Sequence, residues 1–450
     1  MRRKRASQRS LFDTGYPDHE MGRTLERVSL ILDGHPEFLD WIAAELNRGG
    51  RKSRRGRAGL ACEVVLRCGI LKQLWQSDYR DLEFALLDSA SARHFARVDP
   101  LRPPKKSALQ KTVGTVRAEV WERINRALLD TARGGRVETG RKARIDGTVT
   151  ETHIPRPADN QLLRDGVRVL TRLMRRARKN LGDGAFRLHD HNRAAKRRCL
   201  TVSNGRGEDR VEAYRKLLAV VKKTLRYVPG ALAAAEECGD PWAAAWREEV
   251  EHYLDLVERV IDQTERRVLG GETVPSGEKV VSLFEPHTDI IVKRGRAQYG
   301  HKLNLSTGGS GMVLDAVVER GNPADSSRCI PMIERHAELY GEAPAQVACD
   351  GGYASKANLR EAKALGVVDM VFHKKRGLDP LEMASSAGVY GRLRRFRAGM
   401  EAAISYLKRC FGLRRCNWRG LEHFRAYVWS AIVTHNLVVL ARSRLKLKPA

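Results

Sequence analysis

Three acidic residues in different local settings are the strongest candidates for chemistry in this 450-residue chain. Asp146 and Asp350 each lie where a short β-branched run stops, and Glu401 lies in a strongly basic helical pattern. Carboxylates of this kind can converge on Mg²⁺ or Mn²⁺, which prefer hard oxygen ligands. Two such ions about 3.5–4 Å apart would activate the attacking oxygen and stabilise the leaving oxygen of a phosphodiester. The three acids therefore predict metal-dependent cleavage of nucleic acid.

Each acid also has an ordinary structural explanation. An Asp at a strand end often accepts hydrogen bonds from its own backbone in a turn or cap. Asp315 and Asp325 are alternatives for the second acid, but neither ends a strand in a double glycine as Asp350 does. Glu151 is predicted to face the opposite side of the first strand from Asp146.

The charge of the chain favours a nucleic-acid partner. The net charge is +28, and basic clusters occur at residues 51–55, 175–179 and 196–198. Lys and Arg clusters attract phosphate backbones through counterion release, an effect that weakens with salt. Any single cluster could equally be a solvated helix face. Taken over the whole chain, the excess predicts binding to double-stranded DNA.

The cysteines and the hydropathy pattern predict a cytoplasmic protein without a membrane span. The eight cysteines form no Cys-x-x-Cys pair and have no histidines at zinc-finger spacing, so we expect reduced, mostly buried thiols. No apolar run reaches about 18 residues. The basic start is followed by polar residues rather than an apolar segment, which argues against a secretory signal.

Hydrophobic periodicity divides the chain into helical and mixed regions. Residues 1–135 are predicted to form an all-helical, DNA-binding domain, in which short helices separated by turns could include a helix-turn-helix unit. Residues 158–274 are predicted to form a basic helical insertion. Strands are predicted at residues 143–154, 280–284, 289–292, 300–305, 312–318, 346–349 and 367–372, and further helices at 324–340, 356–365 and from about 392 onward.

Without the insertion, the order of elements is βββ-α-β-α-β-α. This order is expected of an RNase H-like core, a mixed α/β sheet with helices on its faces. The core would comprise residues 141–157 and 275–440, with the insertion following the first strand. Asp146 on the first strand, Asp350 at the end of a later strand and Glu401 on the final helix would then meet at one edge of the sheet.

Four segments of the chain resemble the DDE-type transposases of bacterial insertion sequences, and the layout is most similar to the group called not classified yet. The segments are 146–152, 321–326, 350–355 and 397–401, the last followed by 408–412. The resemblance implies that Asp146, Asp350 and Glu401 bind the metal ions. It also implies hydrolysis at transposon ends to free 3′-hydroxyls, which then attack target DNA in the same site.

Related enzymes carry a Tyr-Arg-Glu-Lys signature around the third acid. Arg397, Glu401 and Lys408 keep this spacing, whereas Arg394 stands where the tyrosine is expected. The three residues share one helical face, so Arg397 and Lys408 are predicted to contact DNA phosphate. An exposed salt bridge worth only a few tenths of a kcal/mol is the alternative. The predicted DNA-binding stripe continues through Arg409, Arg414 and Arg415.

Two other classes of protein are alternatives to an active DDE transposase. A catalytically inactive DNA-binding derivative of a transposase would keep the acids for folding. A tyrosine recombinase would need a His-x-x-Arg element with a downstream nucleophilic tyrosine, and no convincing one occurs. We predict a transposase that forms a homo-oligomer when two transposon ends are synapsed, acts in the cytoplasm on the nucleoid, and holds two Mg²⁺ or Mn²⁺ ions per active site.

Overall fold

A computed structural model describes residues 3–5, 15–48, 59–293, 295–374 and 376–443. Its contacts divide the chain into two compact units. The first comprises residues 1–153 and 300–450, and the second comprises residues 154–299. The basic cluster at residues 51–55 lies outside the described residues. The domain boundaries given above stay a prediction.

The N-terminal part of the first unit is helical. Its helices are α1 (Glu20–Asp33), α2 (Glu37–Asn47), α3 (Cys62–Leu74), α4 (Tyr79–Asp88), α5 (Ala90–Ala96), α6 (Lys106–Val113) and α7 (Ala118–Gly134). Helix α4 begins at a capping box, in which Asp78 accepts from the backbone N–H of Asp81 and the Asp81 side chain accepts from that of Asp78. A helix-turn-helix unit among these helices stays a prediction.

A mixed sheet of seven strands follows the N-terminal helices within the described residues. Its strands are β1 (Lys142–Thr152), β2 (Asp289–Lys293), β3 (Arg296–Thr307), β4 (Val313–Val318), β5 (Gln346–Cys349), β6 (Asp369–Phe372) and β7 (Arg415–Cys416). The strand order is β2-β3-β1-β5-β6, with β4 beside β3 and β7 beside β1. Strand β1 pairs antiparallel with β3 and parallel with β5, which explains why it is buried along most of its length.

Helices pack on this sheet in the first unit. They are α13 (Cys329–Tyr340), α14 (Lys356–Ala364), α15 (Pro380–Met383), α16 (Ala387–Cys410) and α17 (Leu421–Arg442). Apolar residues of α7 and α17 join β3 and β4 in one hydrophobic cluster, and α13, β5, β6 and α16 contribute to another. The observed elements confirm the predicted fold class, a mixed RNase H-like core with helical regions.

Helix α17 is long and apolar enough to cross a membrane by length and composition. However, 89% of its most apolar window is buried inside the protein. Buried residues occur all around the helix, including Trp429, Ile432 and Leu437. The apolar character of α17 is thus accounted for by its place in the core.

The second unit contains helices and a hydrophobic core of its own. The helices are α8 (Asp159–Leu181), α9 (Asn192–Asn204), α10 (Gly207–Leu225), α11 (Val228–Cys238) and α12 (Pro241–Thr264), the last continuing as a π-helical turn over Glu265–Leu269. Trp246 is buried in this core, and its Nε1 donates to the carbonyl of Leu173 at 2.9 Å. In sequence, these helices lie between β1 and the remaining strands, as predicted for a helical insertion.

One predicted strand, at residues 280–284, is wrong. The segment is irregular because Gln263 of α12 satisfies both backbone groups of Val280. The Gln263 Oε1 accepts from the Val280 N–H at 2.8 Å, and Nε2 donates to the Val280 carbonyl at 3.2 Å. Backbone groups bound in this way are not available to a strand ladder. Strand β7 was not predicted, because two residues carry no detectable periodicity.

Candidate active site

Asp146 lies within β1, the central strand. Its side chain is 14% exposed, and its Oδ1 accepts a hydrogen bond from the backbone N–H of Gly147 at 2.7 Å. The Cα of Asp146 is paired with that of Leu305 on β3. The backbone on both sides of Asp146 is therefore fixed by sheet pairing, which holds the carboxylate in a defined position.

Asp350 follows directly after β5 and precedes a 3₁₀ turn over Gly351–Tyr353. Strand β5 is parallel to β1, with Cys349 opposite Ile145. Asp146 and Asp350 therefore follow two residues that lie side by side in the sheet. Asp350 is the more accessible acid of the two, since 39% of its side chain is exposed.

Arg397 contacts all three predicted acids. Its Nη2 lies 2.9 Å from Asp146 Oδ2 and 3.4 Å from Asp350 Oδ1, and its Nη1 lies 2.8 Å from Glu401 Oε1. Arg397 and Glu401 are one turn apart on α16, and this helix packs against β1 and β5. The structure thus brings the three acids together around one guanidinium.

The environment of Arg397 strengthens its charged form. The side chain is only 10% exposed, and this burial by itself lowers the pKa of the guanidinium. The neighbouring carboxylates of Asp146, Asp350 and Glu401 outweigh burial, so the pKa of Arg397 lies above its ordinary value. The acids differ in solvent contact, because 70% of the Glu401 side chain is exposed.

Residues 259–437 match the family model for the transposase DDE domain. This segment of the chain is similar to the DDE domain of transposases. The matched part includes Asp350, Arg397 and Glu401 but begins after Asp146. Members of this family act on DNA and generally use divalent metal ions. A search of curated proteins and a search of solved structures each returned no match.

The three acids have the ligand chemistry that suits a hard divalent cation. Asp146, Asp350 and Glu401 supply carboxylate oxygens, the ligands that Mg²⁺ and Mn²⁺ prefer. Their present spacing is set by Arg397, and within the described residues no group of three or more His, Cys, Asp or Glu side chains has metal-binding geometry. The two Asp oxygens on Nη2 lie no more than about 6 Å apart, given their distances to that nitrogen. A modest rearrangement around the guanidinium would let them share an ion.

Asp325, which the sequence offers as an alternative to Asp350, lies close to the backbone beside two of the acids. Its Oδ1 is 3.3 Å from the position a Cβ would take on Gly147, and its Oδ2 is 2.7 Å from that position on Gly352. Lys302 of β3 neutralises Asp325 with an Nζ to Oδ1 distance of 2.5 Å, and also donates to the Pro323 carbonyl. In the sequence, the resemblance of segment 321–326 to transposases is the signal that could have indicated that Asp325 lies near the acids.

The double glycine after Asp350 has a packing role. A Cβ on Gly352 would meet the Asp325 carboxylate, and a Cβ on Gly351 would lie 2.7 Å from the Cβ of Lys374. Both positions therefore need glycine because neighbouring side chains approach the backbone closely.

Asp315, the other alternative acid, has a structural partner elsewhere. It is 5% exposed on β4 and accepts two hydrogen bonds from Arg335 of α13, at 2.5 Å from Nε and 2.8 Å from Nη2. This bidentate ion pair links a strand to the helix packed on it. Its contacts in the structure are of the kind that stabilise a fold.

The predicted DNA-binding residues have different surroundings. Arg409 and Arg414 are exposed, and Lys408 is partly exposed two turns after Glu401 on α16. Arg415 is bound to Glu151, with Nη2 2.8 Å from Oε2. Arg394, at the position where relatives carry tyrosine, is exposed and holds its guanidinium 5.8 Å from the ring centroid of Tyr390.

A second feature of the protein is a cavity of about 1420 Å³ lined by residues of the N-terminal helices and the segment after β7. None of the three acids lines it. Lys72 is buried there, with its Nζ 5.1 Å from the ring centroid of Tyr79 and 5.7 Å from that of Trp418. Burial lowers the pKa of Lys72 to about 8. Trp418 is only 8% exposed and belongs to the core.

Proposed function

We propose that Asp146, Asp350 and Glu401 are the catalytic acids of this transposase, and that they hold two Mg²⁺ or Mn²⁺ ions. The observation that carries the proposal is the convergence of the three acids on Arg397. They come from a central strand, a strand end and a late helix, and they are distant in sequence. A structural salt bridge would need one acid, whereas phosphodiester chemistry needs several.

The proposed reaction takes place in two steps at the same site. In the first, water attacks the phosphorus at a transposon end and the bond to the 3′ oxygen breaks, which leaves a 3′-hydroxyl and a 5′-phosphate. In the second, the 3′-hydroxyl attacks a phosphodiester of target DNA and displaces its 3′ oxygen. Bound metal ions supply activation of the attacking oxygen and stabilisation of the leaving one. Asp146 is held by the sheet, and Asp350 and Glu401 are open to solvent on the side that DNA can reach.

Charged residues around the acids are proposed to hold the DNA. Lys408, Arg409 and Arg414 follow Glu401 and add positive charge to the same region of sequence, and Arg397 is next to the acids themselves. Arg415 is proposed to join them, although Glu151 shares its charge. Backbone phosphate contacts of this type favour binding without reading the base sequence. The proposal includes a homo-oligomer that synapses two ends, in the cytoplasm, where the nucleoid offers target sites.

The test uses DNA that carries the sequences flanking the gene of this chain. The purified full-length protein is incubated with this DNA and a target plasmid, with Mg²⁺, with Mn²⁺ or with EDTA. We expect nicks that leave 3′-hydroxyls, and joined products, only with metal. Asp350→Asn should lower the rate by at least a thousandfold while DNA binding is kept. An Asp350→Asn protein as active as the parent would overturn the assignment of the acids.

A non-catalytic derivative gives a different outcome in the same experiment. Such a protein would bind the flanking DNA in every buffer but release no 3′-hydroxyl with either metal. Glu401→Gln provides a second check, because this residue is exposed and its substitution should leave folding intact. Loss of cleavage with unchanged thermal unfolding separates a role in chemistry from a role in folding.

A further inference from the structure

Arg397 occupies the position at which a shared cation would neutralise the three acids. Its two terminal nitrogens contact one oxygen each of Asp146, Asp350 and Glu401. The contact with Asp146 is the most shielded, since both side chains are less than one-sixth exposed. Charges that water screens poorly interact strongly, so three carboxylates without a counterion would repel one another here. The guanidinium is the cation that prevents this repulsion.

The same position cannot hold Arg397 and a shared metal ion together. Mg²⁺ binds carboxylate oxygens at about 2.0–2.1 Å, much closer than a guanidinium nitrogen. Asp146 Oδ2 and Asp350 Oδ1 both point at Nη2 of Arg397, and the other Asp146 oxygen accepts from the Gly147 N–H. An ion bridging the two Asp side chains would therefore meet the guanidinium and a second positive charge.

The hydrogen bonding of the Arg397 guanidinium is incomplete in this position. Its Nε is buried and has no hydrogen-bond acceptor among the described residues. A guanidinium can present Nε and one Nη together to two oxygens of a phosphate. In the carboxylate-bound arrangement only the terminal nitrogens contact the acids, which leaves the Nε–H without a hydrogen-bond acceptor.

We propose that Arg397 is a resident counterion of the acids, that divalent metal binds in competition with it, and that the displaced guanidinium then binds a phosphate of the DNA. This inference rests on the proposed function of Asp146, Asp350 and Glu401. It makes Arg397 a positioning residue that keeps the acids together before metal arrives. The backbone of Arg397 is fixed in the middle of α16, so the guanidinium would move by rotation about the side-chain bonds alone.

The test measures metal binding without DNA and without catalysis. Metal-free, full-length protein is titrated with MnCl₂ in a calorimeter at fixed ionic strength, and thermal unfolding is recorded in EDTA. For Arg397→Gln we expect Mn²⁺ affinity at least tenfold higher than in the parent and a lower Tm in EDTA. Binding of a short DNA duplex should weaken in the same variant.

Arg394→Gln is the matched control. It removes the same charge from the same helix, but Arg394 is exposed and contacts Tyr390 rather than an acid. Its Mn²⁺ affinity should stay within about twofold of the parent, because the charge of Arg394 is exposed and therefore screened by water and salt. If both Gln variants gain affinity equally, general charge rather than displacement is responsible and the proposal fails.

Two further variants distinguish a failure of the proposed function from a failure of the competition proposal. If Asp350→Asn binds Mn²⁺ as well as the parent does, the acids are not the metal site and the proposed function fails with the inference. If Asp350→Asn loses binding but Arg397→Gln matches the parent, the acids stand and competition is overturned. Arg397→Lys keeps the charge and contacts fewer acids at once, so its affinity should lie between those of the parent and Arg397→Gln. Should the Gln variant not fold, a Lys variant equal to the parent overturns the proposal.

Discussion

Ile145 lies opposite Cys349 in the parallel pair formed by β1 and β5. Because the register is fixed here, the residues that follow this pair are Asp146, within β1, and Asp350, directly after the end of β5. Two acids from distant parts of the sequence become neighbours through one backbone pairing. The third acid reaches them from α16, where Arg397 completes the arrangement.

The packing of Asp325 against the backbone after Asp350 gives the first prediction. In Gly352→Ala the new Cβ would lie 2.7 Å from Asp325 Oδ2, so the turn or the carboxylate must shift. We expect a loss of about 1–3 kcal/mol in the free energy of unfolding, typical of overpacking, and a larger loss of cleavage. Gly391→Ala is the control, since that Cβ meets nothing within 4 Å and lies on a helix. Equal cleavage by both variants would contradict the packing role.

The buried pair of Asp315 and Arg335 gives a prediction that separates folding from chemistry. Asp315→Asn weakens a bidentate ion pair, and we expect a loss of about 1–3 kcal/mol in unfolding free energy, because partly exposed Arg335 can recover contacts with water. Cleavage per folded molecule should equal that of the parent, measured at a temperature well below the Tm. A drop as deep as that of Asp350→Asn would place Asp315 among the catalytic acids.

Two buried histidines predict a loss of stability in acid. Burial lowers the pKa of His336 and of His435 to about 4, below the ordinary value of 6.5. The unfolded chain therefore binds protons that the folded protein does not between pH 6.5 and 4. Stability should fall as pH falls through this window, by up to about 1.4 kcal/mol per pH unit for each histidine.

Denaturant unfolding at several pH values checks this expectation. His435→Gln removes one of the two contributions, so the dependence of the unfolding free energy on pH should become shallower, whatever the overall stability of the variant. His423→Gln is the control on the same helix, because His423 is exposed. An unchanged slope in His435→Gln would show that this residue is not neutral in the folded protein.

The ion pair between Arg415 and Glu151 predicts unequal roles for neighbouring arginines in DNA binding. Arg414 is exposed, so Arg414→Gln should reduce the salt dependence of binding by about one phosphate contact. Arg415→Gln should reduce it by less, because Glu151 already shares that charge. Glu151→Gln should strengthen binding. Affinity for a 30-bp duplex, measured over a range of salt concentrations, distinguishes these cases, and identical slopes for the two Arg variants would contradict the prediction.

The elements that carry Asp350, Arg397 and Glu401 are predicted by the sequence, because the relevant signals are local. The double glycine after Asp350 and the spacing of Arg397 and Glu401 both lie within short segments. The contacts of Arg397 with Asp146 and Asp350 depend instead on how α16 packs against β1 and β5, which no local pattern encodes. The same limit applies to Lys302 and Asp325, whose pairing joins a strand to a distant turn.

Local pattern also fails where a distant side chain competes for the backbone. Residues 280–284 have the composition of a strand, yet Gln263 binds both backbone groups of Val280 and prevents pairing there. Propensity is a preference that tertiary contacts can override. The membrane-like composition of α17 is a related case, since its apolar residues are explained only by the neighbours that bury them.

The order of the elements has a consequence for synthesis on the ribosome. Strand β1 is made early, and the helices of the second unit follow before its partners β3 and β5 exist. Helix α16 is the last element made that carries one of the acids or Arg397. Since chains emerge N-terminus first, we expect that the nascent chain has no assembled cluster of acids until translation has passed α16. Incomplete products that stop before this helix would lack Arg397 and Glu401 and could not form the proposed site.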